Sequence, residues 1–162
     1  MSSRDSEEIV SRGEQFGAVL GFKIVTIELD SALYQAEREL RNEVLLRPIG
    51  IPDYGWEMKD DESFHIVALR DGVVVGCVLL WPSEEGRGQL MQMAVAEEAQ
   101  GRGVGRMLVA GLVEKARERD LKTVFCHARA DVVSFYWRLG FFPVGERFQE
   151  VGVDHQLMEL SL

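Results

Sequence analysis

The segment Gln100-Gly101-Arg102-Gly103-Val104-Gly105 places glycines at alternate positions between an apolar run, Gln89 to Val95, and an apolar-periodic segment that starts at Val104. Glycines strip such a loop of side chains, so its backbone N–H groups can close around a ligand. A helix that begins at Val104 adds unpaired first-turn donors and the positive end of its dipole. The chemistry this spacing supports is the cradling of an anion, a diphosphate above all. Arg102 and Arg106 can add charge, although two arginines four apart at a helix start are otherwise mildly unfavourable and could be solvated surface.

Several kinds of protein own a glycine-rich strand-to-helix loop. The Walker pattern requires Lys and then Ser or Thr after its last glycine, whereas Arg106-Met107 stands here, which argues against phosphoryl transfer. The dinucleotide fingerprint would require glycine at 106 and normally opens a domain. On the loop alone, a plain turn without a ligand stays open.

The elements that must position the loop can be read along the chain. Phe22–Ile27 alternates as a strand. Asp30 is placed to cap a helix with apolar positions Leu33, Ala36, Leu40 and Val44, which should end before Pro48. Residues 47–63 read as a loop that carries Tyr54, Trp56 and Met58. His65–Leu69 and Val73–Leu80 flank Asp71-Gly72, the signal of a tight hairpin. A turn at Ser83–Gly88 leads to the strand before the glycine loop. The helix after the loop puts Val104, Met107, Leu108, Gly111, Leu112 and Ala116 on one side. Thr123–Ala128 reads as a buried strand, Asp131–Leu139 as a short helix stopped by Gly140, and Phe141–Leu162 as two strands around Gly152.

With 162 residues, no repeat and no internal linker, the chain reads as one mixed α/β domain over residues 1–162, with residues 1–8 as a frayed tail. An apolar share of 46% with 28% charged residues belongs to a globular protein. A net charge of −9 argues against nucleic acid and against anionic membrane surfaces as partners. The polar N-terminal residues lack a signal peptide's apolar core, and no run approaches the roughly 20 apolar residues of a membrane span. Cys77 and Cys126 sit in apolar runs far from metal-ligand spacing and read as buried thiols. A cytoplasmic protein without a metal is the expectation.

About thirty residues after the loop comes Ser134-Phe135-Tyr136-Trp137-Arg138-Leu139-Gly140-Phe141. Together the two segments resemble the GNAT superfamily, the GCN5-related N-acetyltransferases. Gln100, Gly103 and Gly105 match that family's (Gln or Arg)-x-x-Gly-x-(Gly or Ala) pattern, and Phe135, Tyr136, Leu139, Gly140 and Phe141 match its later Phe-Tyr-x-x-(Leu or Met)-Gly-Phe run. The resemblance is best from about Phe64 to Leu162, and the stretch Glu150 to Met158 looks like the close of certain bacterial members.

The resemblance implies an α/β (α+β) fold with a mixed, mostly antiparallel central sheet, flanked by helices and splayed between the cofactor-binding strands. It implies acetyl-CoA as acyl donor, with the pantetheine arm beside Met93-Ala94-Val95 and the diphosphate on Gln100, Gly101, Arg102, Gly103, Val104, Gly105 and Arg106. Val95 N–H is then the donor for the developing oxyanion, an interaction that can contribute roughly 2.7–4 kcal/mol. At its motif position Tyr136 is the acid for the leaving thiolate, since a phenol stays protonated at neutral pH; the competing role is core packing beside Phe135. His155, next to Asp154, can orient toward an amine or be structural. Glu97 and Glu98 can relay a proton through water or simply be solvated, and a bound amine can also lose its proton to water. His65 and His127 read as strand residues with satisfied partners. Tyr54 and Trp56 either line an acceptor pocket or pin down their own loop.

The expected partner is an amine acceptor, a small molecule or a protein, with a homodimer as a family-level expectation. A non-catalytic acyl-CoA sensor or docking module is the alternative. An intact glycine loop suits both; Tyr136 favours catalysis.

Overall fold

The computed structural model describes residues 21–162; the frayed tail read at residues 1–8 lies outside the described residues. Seven strands form one sheet: β1 (Lys23–Ile27), β2 (Phe64–Arg70), β3 (Val73–Pro82), β4 (Arg87–Val95), β5 (Thr123–Arg129), β6 (Phe142–Glu150) and β7 (Val153–Ser161). Their spatial order is β1-β2-β3-β4-β5-β7-β6, with β4–β5 the only parallel pairing among them.

Local chemistry explains the main turns. Asp71 and Gly72 take φ of 51° and 78°, the left-handed pair that a two-residue hairpin needs to match strand twist. Ser31 rather than Asp30 caps helix α1 (Ala32–Arg41), accepting the Leu33 N–H at 3.1 Å. The helical path then runs past Pro48 instead of stopping before it. A π-helical turn, Asn42–Leu46, is followed by a 3₁₀ turn, Arg47–Ile49, which Pro48 can enter because a first-turn residue needs no N–H partner. Gly50, at φ 77°, ends it. The expected helix at Asp131–Leu139 is a 3₁₀ turn, Ala130–Val132, followed by α3 (Val133–Arg138).

Helix α2 (Val104–Glu118) lies on one sheet face and α1 on the other. Adjacent β2 residues show this, since Ile66 faces Gly111 of α2 while His65 bonds Glu37 of α1. The core between α2 and the sheet holds Val104, Leu108 and Leu112, each nearly or fully buried, with Ile66 and Val78. Gly76 and Gly111 let the helix close on the sheet: a Cβ on Gly111 would lie 2.8 Å from Ile24 Cγ2, and one on Gly76 3.0 Å from Val104 Cγ1.

Alanine in place of a helical glycine ordinarily stabilises by about 1 kcal/mol. Here Gly111→Ala is expected to lower unfolding stability by about 1–3 kcal/mol in chemical denaturation, because the methyl overpacks the helix–sheet contact. A raised midpoint would show that the contact relaxes freely.

Candidate active site

Strands β4 and β5 pair only from Arg87 to Gln89 against Thr123 to Phe125, and then part. Just past the last pair, β4 carries a bulge. Cys77 faces Ala94 and Leu79 faces Met91, so Gln92 and Met93 share one partner position, and Gln92 takes φ 51°. Ala96 N–H donates to Val75 O at 2.8 Å. By strand alternation, Met93 and Val95 turn their backbone groups away from β3, toward the gap. Val95 C=O accepts a hydrogen bond from Gln100 Nε2 at 3.0 Å. Gln100 therefore ties the glycine loop to the strand beside it.

The glycines of that loop have distinct reasons to be glycine. Gly101 and Gly103 take φ of 76° and 83°, which side chains rarely adopt. A Cβ on Gly105 would meet Phe135 Cζ at 3.3 Å and Met93 Sδ at 3.9 Å, so loop, α3 and β4 converge there. Gly103 is the N-cap of α2 and offers no side chain to the first-turn N–H groups, and that turn has no acidic residue. Those donors face outward at the mouth of the gap, with Arg102 and Arg106 exposed beside them.

A cleft of about 860 Å³ runs through the gap. Gln100, Gly101, Gly105, Phe135 and Tyr136 line its first half, and Val44, Leu45, Ile49, Trp56 and Met58 line much of the second. Met93, Val95 and His155 also border the cleft; Ala94, Arg102, Gly103, Val104 and Arg106 do not. Val104 has its side chain in the core, which leaves its first-turn N–H for a ligand, whereas Ala94, also buried, turns its backbone groups to Cys77 of β3 rather than to the gap.

Tyr136 is 5% exposed, edge-on to both Phe135 and Phe141 at 5.0 and 5.4 Å between ring centroids. Burial, with a smaller contribution from Cys126, holds its phenol above the ordinary range, so it keeps its proton at neutral pH. Burial likewise pushes the Cys126 thiol up to about 12. His155 is buried and its Nδ1 lies 2.8 Å from Val153 O. A carbonyl only accepts, so Nδ1 donates, and in the neutral ring the lone pair is on Nε2. His127 Nδ1 meets Glu150 Oε2 at 2.9 Å, and both residues border the cleft. Glu97 and Glu98 are exposed on a 3₁₀ turn outside it.

Beneath the second half lies a buried ionic network that the residue spacing did not reveal. Arg41, 2% exposed, grips Asp60 through Nη1 and Nη2 at 2.9 Å each, and Nη1 is 3.2 Å from Glu37. Its Nε donates to Gln92 Oε1 at 3.0 Å, while Nη2 and Gln92 Nε2 both donate to Trp56 O, at 2.8 and 2.7 Å. His65 places Nδ1 2.9 Å from Glu37 and Nε2 2.7 Å from Asp60 O. Both partners are acceptors, so the ring carries both protons and a positive charge. Burial opposes that charge, but the Glu37 hydrogen bond and charge and the Asp60 carbonyl outweigh it and raise the His65 pKa. Two carboxylates and two cations then balance. Glu37, Asp60 and His65 cluster closely enough to hold a metal ion, yet the guanidinium already stands between the carboxylates. The i, i+4 pair Glu37 and Arg41 was visible on the predicted helix; nothing in the spacing pointed to Asp60 or Gln92.

The family model for the acetyltransferase (GNAT) family matches residues 27–141. The chain belongs to that family. YitI of Bacillus subtilis, an uncharacterized N-acetyltransferase, is 26% identical over 102 residues, covering 59% of this chain and 68% of its own length. Among solved structures, an acyl-CoA N-acyltransferase from Pseudomonas aeruginosa superimposes with a TM-score of 0.75 at 24% identity, over 86% of this chain and 99% of that one. A GNAT family acetyltransferase from Elizabethkingia anophelis, solved with acetyl-CoA bound, gives 0.68 at 18% identity over 88% and 99%. These likenesses fix the fold as GNAT, the mixed, mostly antiparallel sheet expected. No helix among the described residues is long and apolar enough to cross a membrane.

Two outcomes follow from the network. Arg41→Met strands two buried carboxylates and should cost about 3–5 kcal/mol in denaturant unfolding. Because folding raises the His65 pKa, the folded state holds the extra proton, and that stabilisation is complete below the ordinary histidine pKa. It is lost as pH rises through the raised value. Unfolding free energy should therefore fall with pH across that window, and His65→Gln should flatten the slope; an unchanged slope would mean that His65 is not the charged member.

Proposed function

We propose that this chain is an acetyl-CoA-dependent N-acetyltransferase that moves an acetyl group to a primary amine of a small molecule or protein by direct attack. The observation that carries the proposal is the juxtaposition of three features in one cleft: the free backbone edge at Met93 and Val95, the glycine loop at its mouth, and Tyr136 inside it.

The first-turn N–H groups from Gly101 to Arg106 hold the diphosphate, and Arg102 and Arg106 add charge from the rim. Met93 and Val95 hold the pantetheine arm through their backbone, with Val95 N–H donating to the carbonyl oxygen as it gains negative charge. Fixed backbone donors need no reorganisation at that moment, which is why the edge must be left unpaired in advance. Tyr136, kept protonated by burial, gives its proton to the departing thiolate. His155, with its Nε2 lone pair, accepts a hydrogen bond from the amine and orients it. A protein amine or a small amine can enter from the side of Trp56 and Met58.

Acetyl-CoA should raise the thermal unfolding midpoint in a concentration-dependent way, as any ligand selective for the native state does. Tyr136→Phe should keep that shift while lowering kcat by about 100-fold or more in free-thiol release. A missing shift would overturn the donor assignment. A full shift with no turnover on any amine would favour an acyl-CoA sensor.

A further inference from the structure

The second half of the cleft carries a histidine that the scheme above leaves unused. His127 stands on β5 two residues beyond its last pairing with β4, level with the approach to the β4 bulge. Glu150, from the end of β6, accepts from His127 Nδ1 at 2.9 Å, which fixes the tautomer and leaves Nε2 with a lone pair. Phe148 packs edge-on to the His127 ring at 5.3 Å and stacks on His155 at 5.9 Å, so both imidazoles pack against one aromatic ring.

The two histidines differ in their partners and in their access to the cleft. His155 is 6% exposed and its Nδ1 partner is a neutral carbonyl, while the adjacent Asp154 is engaged by Gln149. The His127 side chain is 38% exposed and faces a carboxylate, so its ring is both held and open to the cleft. The other charged groups around it are otherwise occupied. Arg129, on its own strand, pairs with Asp131 at 3.5 Å, and Lys59, across the cleft, lies 3.5 Å from the centre of the Trp81 ring.

Around this polar pair much of the cleft lining is apolar. Ile49, Met58 and Val151 are exposed large hydrophobic side chains, and all three border it together with Leu45 and Trp56. Exposed apolar groups gathered around one opening mark a binding surface for an apolar body.

We propose, resting on the transferase function above, that the His127–Glu150 pair receives the acceptor's ammonium group and removes its proton, and that the acceptor is a primary amine on an apolar body. The ammonium gives one proton to His127 Nε2. The freed lone pair forms the C–N bond at the acetyl carbon, the C–S bond breaks, and the thiolate takes the Tyr136 proton. The second proton lost as the amide forms returns to the phenol through solvent, and His127 releases its own to water. Glu150 holds the ring through Nδ1 and so positions Nε2.

The test is free-thiol release from acetyl-CoA with 2-phenylethylamine, spermidine or glucosamine as acceptor, from acidic to alkaline pH. Wild type, His127→Gln and Glu150→Gln are compared, with acetyl-CoA thermal shifts measured alongside. 2-Phenylethylamine should show the highest kcat/KM, by about tenfold or more. For it, kcat/KM should climb with pH along one limb in wild type, and Glu150→Gln should lower kcat more than it changes KM, because the ring loses the partner that holds its tautomer. His127→Gln should abolish the limb and lower kcat/KM about 100-fold, with the acetyl-CoA shift intact in both variants. A preference for spermidine or glucosamine, or a His127→Gln enzyme with unchanged rate and pH profile, would overturn the proposal. Thermal shifts without turnover on any amine would instead overturn the transferase function beneath it.

Discussion

An unpaired strand edge inside a protein is costly, because each buried N–H or C=O without a partner forfeits the hydrogen bond it had in water. Strand β4 carries such an edge from its bulge to Val95, where β5 has turned away. Much else in the molecule serves to keep that edge open and in place. Gln100 satisfies the Val95 carbonyl, the bulge re-aims the strand, and α2 anchors the loop at the mouth by burying Val104, Leu108 and Leu112 against the sheet. The free N–H groups are then ready-made donors for a ligand that enters the gap.

Holding the bulge falls to the buried network on the opposite face of the sheet from α2. Arg41 joins four structural units at once: α1 through Glu37, a 3₁₀ turn at Asp60–Glu62 through Asp60, the aromatic loop through Trp56 O, and the bulge through Gln92. A guanidinium suits this role because its planar fork offers five donors in fixed directions. Charge balance makes the arrangement tolerable in a dry interior, since a buried ion costs far less when its partners are hydrogen-bonded around it. The same residues set the wall of the second half of the cleft, as Trp56 hangs from the carbonyl that Arg41 and Gln92 hold. Stability and acceptor geometry are thereby carried by one set of contacts.

Much of this was legible in the residues. Glycines at 101, 103 and 105, Gln100, and the Phe135-Tyr136 pair lie on short local motifs, and local motifs survive in sequence because backbone conformation and near-neighbour packing dictate them. The Asp71-Gly72 hairpin and the amphipathic α2 were readable for the same reason. What stayed hidden depends on long-range pairing. Asp60 and Gln92 meet Arg41 across 19 and 51 residues, and β7 is inserted between β5 and β6, which brings Glu150 to His127. Neither pairing leaves a periodic trace. The α-helix does end before Pro48, but a 3₁₀ turn carries the path past it because Pro48 lies in that first turn, where no N–H partner is needed, and Ser31 displaced Asp30 as cap by a single position.

The account's central claim is that the free edge of β4 and the glycine loop bind one acyl donor between them. Amide NMR of the protein titrated with acetyl-CoA tests it most directly. The account predicts that the amide resonances of Met93, Val95 and residues 101–106 move together and saturate at one common affinity. Shifts that leave those amides unmoved while acetyl-CoA binds elsewhere, or no shifts at all, would contradict it.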